Sequence, residues 1–247
     1  MDLVQKGSQT AKNGFKNEQE VCNKFNNWLI DIEAQKWLYI MNYNIKEVES
    51  VNAVVIHGHK ADINVQIQIK SKSSMDIQNI QVKLVSNKRG FNQVDKRWLA
   101  HYKELWNIPN DIYKLLQYYT GEEKPYKYNT RDERRMFLDE FEINEQSLIL
   151  NWFKENKVLI LSDIIKGRGK YSAEWVLVAQ KIKNNARWVL VNINEALQYY
   201  GTGDVIVSPK GSLYIGKVTA QRKGGDNGRE TANMLQFKID PSCLFEI

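Results

Sequence analysis

Asp62, Gln81 and Lys83 stand where a carboxylate, an amide and an ammonium group can converge on one spot. Asp62 opens the run Ile63-Asn64-Val65-Gln66-Ile67-Gln68-Ile69. Alternate residues of this run are apolar, so it reads as a strand with Asp62, Asn64, Gln66 and Gln68 on its polar face. Ile80-Gln81-Val82-Lys83-Leu84-Val85-Ser86 alternates in the same way and puts Gln81 and Lys83 on one face, roughly 6 to 7 Å apart. The polar connector from Lys70 to Asn79 makes a hairpin of the two runs. Such a cluster suits phosphodiester hydrolysis. Mg²⁺ takes oxygen ligands and keeps several waters, so one carboxylate with an amide or backbone carbonyl suffices to hold it. A bound metal polarises phosphate and acidifies water, and a neighbouring lysine offsets charge that builds in the transition state. Taken alone, the spacing favours an ordinary half-exposed strand pair, because polar alternation is common in sheets.

The elements around this hairpin must bring further groups to it. A helix is expected from about Asn17 to Asp31, with Val21, Cys22, Phe25, Trp28 and Leu29 as its apolar stripe. Glu18 lies on the same side, four residues before Cys22. It either complements the helix dipole or aims its carboxylate at the sheet. The first fifteen residues are a frayed terminus or a DNA-contacting arm. His57-Gly58-His59 reads as a strand-end turn, since no acid or thiol accompanies it.

Two basic segments flank the candidate chemistry. Asn87 to Trp98 includes Lys88, Arg89, Phe91, Gln93 and Lys96, with types suited to phosphates, base edges and a wedge between base steps. Its alternative is a solvated loop leading into the next helix. Lys166-Gly167-Arg168-Gly169-Lys170 is a glycine-hinged turn that serves as a hairpin loop or as a phosphate clamp. Nearer the C-terminus, Gln221, Arg222 and Lys223 precede a glycine-rich turn holding Asn227, and Arg229 follows it. A two-stranded ribbon tipped in this way fits a major groove; the plain alternative is a mobile hairpin. Between these segments, helices are expected over Trp98 to Tyr119 with a break at Pro109, and over Arg131 to Asn156. Gly121 to Thr130 reads as a linker. Val158 to Ile165, Trp175 to Lys181 and Arg187 to Ile193 read as strands, and Ile193 to Tyr200 as a helix.

The whole chain has 247 residues, enough for one large or two small cores. A net charge of +6 and a pI near 9.1 suit a polyanionic partner. Cys22 and Cys243 form neither a disulfide framework nor a zinc pattern. No apolar run is long enough to span a membrane and no charged-then-apolar leader is present, so a soluble, cytoplasmic protein is expected.

Asp62 followed by Gln81-Val82-Lys83 resembles the D…(D/E)xK signature of the PD-(D/E)XK nuclease superfamily, in its restriction-endonuclease branch. The segments Asn79 to Gln93 and Gln221 to Asn233 are more specific, and are similar to small type II members that cut GCGC after the first G. Ala61 departs from the Pro or Ser usual at that position, and Gln81 replaces the usual acid. The resemblance implies a type II restriction endonuclease with an α/β (α+β) fold: a mixed-sheet core with helices on its faces and a sheet-rich C-terminal recognition region. It implies cleavage of double-stranded DNA that leaves 5′ overhangs and 5′-phosphates. Mg²⁺ is the expected cofactor, with two ions per active site. Asp62, Glu18, Gln81 and the backbone of Val82 are the expected metal ligands, and Lys83 stabilises charge. Residues 1–128 are expected to form the catalytic domain and 129–247 the recognition domain. The expected partners are DNA and a cognate methyltransferase, and the expected assembly is a monomer or weak homodimer. A structure-directed nuclease of the same superfamily and a catalytically silent DNA-binding protein are the rival readings.

Overall fold

The computed structural model describes residues 3–56, 65–72, 74–225 and 229–247. It divides into two compact units that interleave along the chain. The first comprises residues 1–92, 165–196 and 240–247; the second comprises 93–164 and 197–239. The expected organisation had a single cut after residue 128, whereas here the chain passes between units several times.

The first unit is built on a five-stranded mixed sheet. Its strands are β1 (Val48–Val55), β2 (Val65–Ser71), β3 (Met75–Val85), β5 (Trp175–Ile182) and β6 (Asn185–Asn192), in that spatial order. β1, β2 and β3 form an antiparallel meander. β5 then pairs parallel to β3, with Gln81 opposite Val176 and Lys83 opposite Val178. A parallel partner requires a long crossover, and here it holds most of the second unit. β6 returns antiparallel to β5.

One face of the sheet carries Val51, Ala53, Ile67, Ile69, Ile80, Val82, Leu177 and Leu190. Helices α1 (Leu3–Asn26) and α2 (Ile32–Ile40) contribute Val21, Cys22, Phe25, Trp28, Ala34, Trp37 and Leu38 to the same core. The Phe25 and Trp37 rings meet at 5.1 Å. Each such fully buried side chain contributes about 1.5–3 kcal/mol, so α1 is held to the sheet chiefly by this stripe. The Asp31 side chain caps α2 by accepting from the Ala34 N–H at 3.0 Å.

The second unit has its own five-stranded sheet. The order is β4 (Asn92–Arg97), β10 (Leu235–Ile239), β9 (Val218–Arg222), β8 (Leu213–Ile215), β7 (Val205–Val207). It also contains α3 (Leu99–Trp106), α4 (Asn110–Thr120), α5 (Ile143–Glu155) and α6 (Lys157–Leu161), and α7 (Ile193–Gly201) runs into it. Its interior holds a buried charged network. Arg97 donates to Asp163 at 2.9 Å and lies 3.3 Å from Asp95. Tyr102 donates to Asp95, and the Trp106 indole N–H to Asp163, each at 2.9 Å.

Several expectations need correction. The first helix begins at Leu3 and ends at Asn26, so the described residues before Asn17 are its opening turns. Asn92–Arg97 is a sheet strand and not loop: it pairs with β10 at the edge of the second sheet, with Val94 and Asp95 buried and Gln93 and Lys96 exposed. Of residues 131–156, only Ile143–Glu155 forms an α-helix; Leu138–Glu140 is a 3-10 turn. Val158 to Ile165 is helical and not a strand: α6 continues into a π-helical turn over Ser162–Lys166. That short apolar run fits either period, and burial of Ile160, Leu161, Ile164 and Ile165 on a helix satisfies it. The C-terminal ribbon is interrupted by a 3-10 turn at Glu230–Asn233, although Arg222 pairs with Leu235 as in a hairpin.

Candidate active site

β3 is the element that carries the candidate chemistry. Its alternation holds: Ile80 and Val82 enter the helix-covered core, so Gln81 and Lys83 occupy the opposite face. Gln81 is 0% exposed, and among the described residues neither its amide oxygen nor its amide nitrogen has a hydrogen-bond partner. Its register neighbour Val176 is buried and apolar. A buried amide needs a group or ion to pair with, because leaving it without one costs about 1–3 kcal/mol. Lys83 is half-buried two residues further on. Asp62, expected as the principal carboxylate, lies outside the described residues, as do His57 and His59.

α1 lies against β1, β2 and β3, and it brings Glu18 with it. Glu18 is only 9% exposed. Burial, and secondarily the charge of Glu18, push the Cys22 thiol up to about 12. The carboxylate is therefore turned toward the protein interior and not toward solvent. Asn17 beside it was missed by the sequence reading. It is 2% exposed, and both its amide atoms lack partners among the described residues. Its place four residues before Val21 on the apolar stripe was the available signal.

Two basic segments are tied to this sheet. Asn79, two residues before Gln81 on the same face, donates from its side chain to the carbonyls of Lys170 at 3.2 Å and Ser172 at 3.3 Å. Its backbone N–H donates to Glu174 at 2.6 Å. Those bonds fasten the turn bearing Lys166, Arg168 and Lys170; Arg168 and Lys170 are exposed and Lys166 half-buried. At the other end of β3, Gln180 donates to the carbonyls of Asn87 at 2.9 Å and Lys88 at 3.2 Å, and Asn92 donates to the carbonyl of Leu84 at 3.0 Å. These hold the loop with exposed Lys88, Arg89 and Phe91. Arg89 also lies 3.5 Å from Glu246.

Within the second unit, Gln236 on β10 stands opposite Gln221 on β9 and donates to the Gln93 side chain on β4 at 2.8 Å. Three glutamines thus cross neighbouring strands; Gln236 was not foreseen. Lys96 is exposed on β4. Arg222 donates twice to Asn233, at 3.1 and 2.8 Å. The Lys223 N–H donates to the carbonyl of Met234 at 2.9 Å, and Arg229 is exposed. Asn227 lies outside the described residues.

Among the described residues no three His, Cys, Asp or Glu side chains gather as a metal cluster, and no helix is long and apolar enough to cross a membrane. The donors on hand are oxygens of an amide and of one buried carboxylate. That set suits a hard cation that retains water, and it does not suit zinc.

Comparison with known proteins bears on fold and family. The R.HinP1I restriction endonuclease family matches residues 41–245. A curated protein of Clostridium acetobutylicum, named "Probable septum site-determining protein MinC", is 28% identical over 191 residues, covering 76% of this chain and 79% of its own. Among solved structures, restriction endonuclease MspI in complex with its cognate DNA superposes with a TM-score of 0.65 at 11% identity. That alignment covers 96% of this chain and 93% of the other. The shared architecture is a mixed sheet flanked by helices.

Proposed function

The chain belongs to the R.HinP1I restriction endonuclease family, and from this premise we propose how a type II site-specific nuclease of this sequence works. It is a DNA-binding enzyme that cleaves at specific sequences. The site we propose is GCGC, cut after the first G on each strand to leave 5′ overhangs and 5′-phosphates. The single observation that carries the active-site reading is Gln81: fully buried, without a hydrogen-bond partner among the described residues, and two residues before Lys83 on the strand between two tethered basic segments.

Mg²⁺ is the proposed cofactor, two ions per site, held by Asp62, Glu18, the Gln81 amide oxygen and the Val82 carbonyl. When bound it supplies Lewis acidity toward the scissile phosphate and a more acidic water. The chain's own residues do the rest. Lys83 places its ammonium where negative charge grows on the phosphoryl oxygens and orients the attacking water. That water attacks phosphorus in line with the departing 3′ oxygen, the P–O3′ bond breaks, and the phosphate stays on the 5′ end. Gln81 in the sheet and Glu18 on the inner stripe of α1 are each buried, which strengthens each electrostatic interaction they make.

Lys88, Arg89, Lys166, Arg168 and Lys170 contact phosphates, and Phe91, 65% exposed, leans on base or sugar. Gln93, Lys96, Gln221 and Asn227 face base edges, where an amide both donates and accepts and a lysine donates to guanine. Residues of the first unit perform catalysis and those of the second read sequence. A cytoplasmic enzyme of this kind, acting as a monomer or weak homodimer, works beside a methyltransferase that protects the same site.

Digestion of a plasmid of known sequence with and without Mg²⁺, followed by sequencing of the ends, tests this reading. Cuts confined to GCGC and present only with metal are expected. Cuts at junctions or damage without a common sequence would replace it with a structure-directed nuclease. Binding without any cleavage would leave a silent DNA-binding protein.

A further inference from the structure

The second unit contains an open cavity of about 480 Å³ whose lining includes Lys124, Arg134, Arg222 and Arg229 against two acids, Glu133 and Glu230. Arg222 is half-buried and held by a neutral group: its Nε and Nη2 both donate to the Asn233 side-chain oxygen. Burial and then the adjacent Arg134 pull its pKa down. Arg134 is committed to Asp132, at 2.8 and 3.0 Å. Arg135 lies 3.9 Å from the same carboxylate, and its buried Nη1 has no partner among the described residues. Asp132 therefore serves Arg134 and Arg135, while Arg222 is oriented by an amide that cancels none of its charge. Gly121 closes α4 at φ +83°, and a Cβ there would meet the Arg134 carbonyl at 2.7 Å and the Arg222 Nε at 3.4 Å. Only glycine lets the helix end pack so closely on the Arg134 backbone, beside the Arg222 guanidinium.

We infer that this cavity is a seat for one phosphodiester group of the DNA, gripped by Arg222, Arg229 and Lys124, with Asn233 as the positioning residue for Arg222. The inference rests on the DNA-cleaving reading above. It reassigns Arg222 and Arg229, which the sequence placed at base edges. Reading a guanine takes one arginine presented bidentately in a groove. Several cations converging on one hollow, with a guanidinium restrained by a neutral amide, match a compact tetrahedral anion instead. Filling the seat also relieves the repulsion between Arg222 and Arg134.

Two arms test this on the full chain. In the first, inorganic phosphate is compared with chloride at matched ionic strength by thermal melting, with no DNA present. Phosphate should raise the Tm of the wild type and raise it less in Arg222→Gln and in Lys124→Gln. Lys124 is exposed, so its variant folds even if that of Arg222 does not. Equal protection of all three proteins would overturn the seat. In the second arm, wild type and variants bind GCGC and scrambled duplexes, each also carrying single methylphosphonate substitutions. Each variant should lose on the order of tenfold on both sequences alike, with the salt slope falling by about 0.9. One methylphosphonate position should weaken the wild type yet add nothing to Arg222→Gln. A loss confined to GCGC, or full additivity at every phosphate, would overturn the inference. A wild type that responds to phosphate but binds neither duplex would sink the DNA reading while keeping the anion seat.

Discussion

At Gln81 the superfamily's usual acid is replaced by an amide, and the chemistry must be judged group by group. Asp62→Asn and Lys83→Ala should each slow cleavage on the order of hundreds-fold while leaving DNA binding intact, because each removes a charge that the proposed mechanism uses at the scissile phosphate. Purified Lys83→Ala that cuts at nearly the normal rate would remove Lys83 from the site. Gln81→Glu should be tolerated better than Gln81→Ala, since it restores an oxygen donor at the same reach. Glu18 permits a test without turnover. Its charge helps hold the Cys22 thiol near 12, after burial. A thiol raised in the folded state above its ordinary value of 9.0 contributes stability that is full below about 9 and is lost as pH rises toward 12. At pH 8 a thiol reagent should therefore modify the half-exposed Cys243 and spare Cys22 until the protein is denatured. Glu18→Gln should lower the thiol's pKa and also raise the Mg²⁺ concentration needed for cleavage. Equal labelling of both cysteines in the native protein would contradict the burial of this helix face.

At the scale of elements, function depends on what is tied to β3. Asn79 and Gln180 each hold a basic segment through side-chain bonds to its carbonyls. Asn79→Ala should speed amide exchange over residues 167–173 and weaken binding to cognate and scrambled DNA together, with catalysis per bound complex little changed. Unaltered exchange there would mean that the turn is held by other bonds. In the second unit, β4 and α3 are joined to the Ser162–Lys166 turn by the buried Arg97–Asp163 pair. Asp163→Ala removes the acceptor of both Arg97 and Trp106. Deleting one partner of a buried pair costs about 3–5 kcal/mol, and thermal melting should show a fall of several degrees or more. A loss below about 1 kcal/mol would mean that Asp95 alone compensates Arg97.

For the molecule as a whole, a net charge of +6 on 247 residues predicts binding that weakens steeply with salt. Each of Lys88→Ala and Lys170→Ala should reduce the slope of log affinity against log salt by about 0.9 and affect both kinds of duplex alike. Slopes equal to that of the wild type would mean that neither lysine meets a phosphate.

The amino-acid order by itself determined the strand character of Gln66 to Ile69 and Ile80 to Val85, the apolar stripe of the first helix, and the family segments around Gln81 and Arg222. These are local: a period of two or 3.6 residues is written in neighbouring side chains. It also marked the exposed basic residues, because charge needs no partner to be legible. Only the tertiary structure decided that β3 takes β5 as its parallel partner across a crossover of nearly ninety residues, and that Asn92–Arg97 joins a second sheet. Pairing distant in sequence depends on which surfaces remain to be buried after the local elements form, and no local pattern records that. For the same reason Val158 to Ile165 read as a strand and folded as helix. The burial of Gln81 and Asn17 without partners among the described residues, the glutamine row through Gln236, and the hold of Asn233 on Arg222 arise from side chains brought together by that packing. Spacing along the chain could put Gln81 and Lys83 on one face of a strand, but only the packed structure shows that Gln81 is buried there without a partner among the described residues.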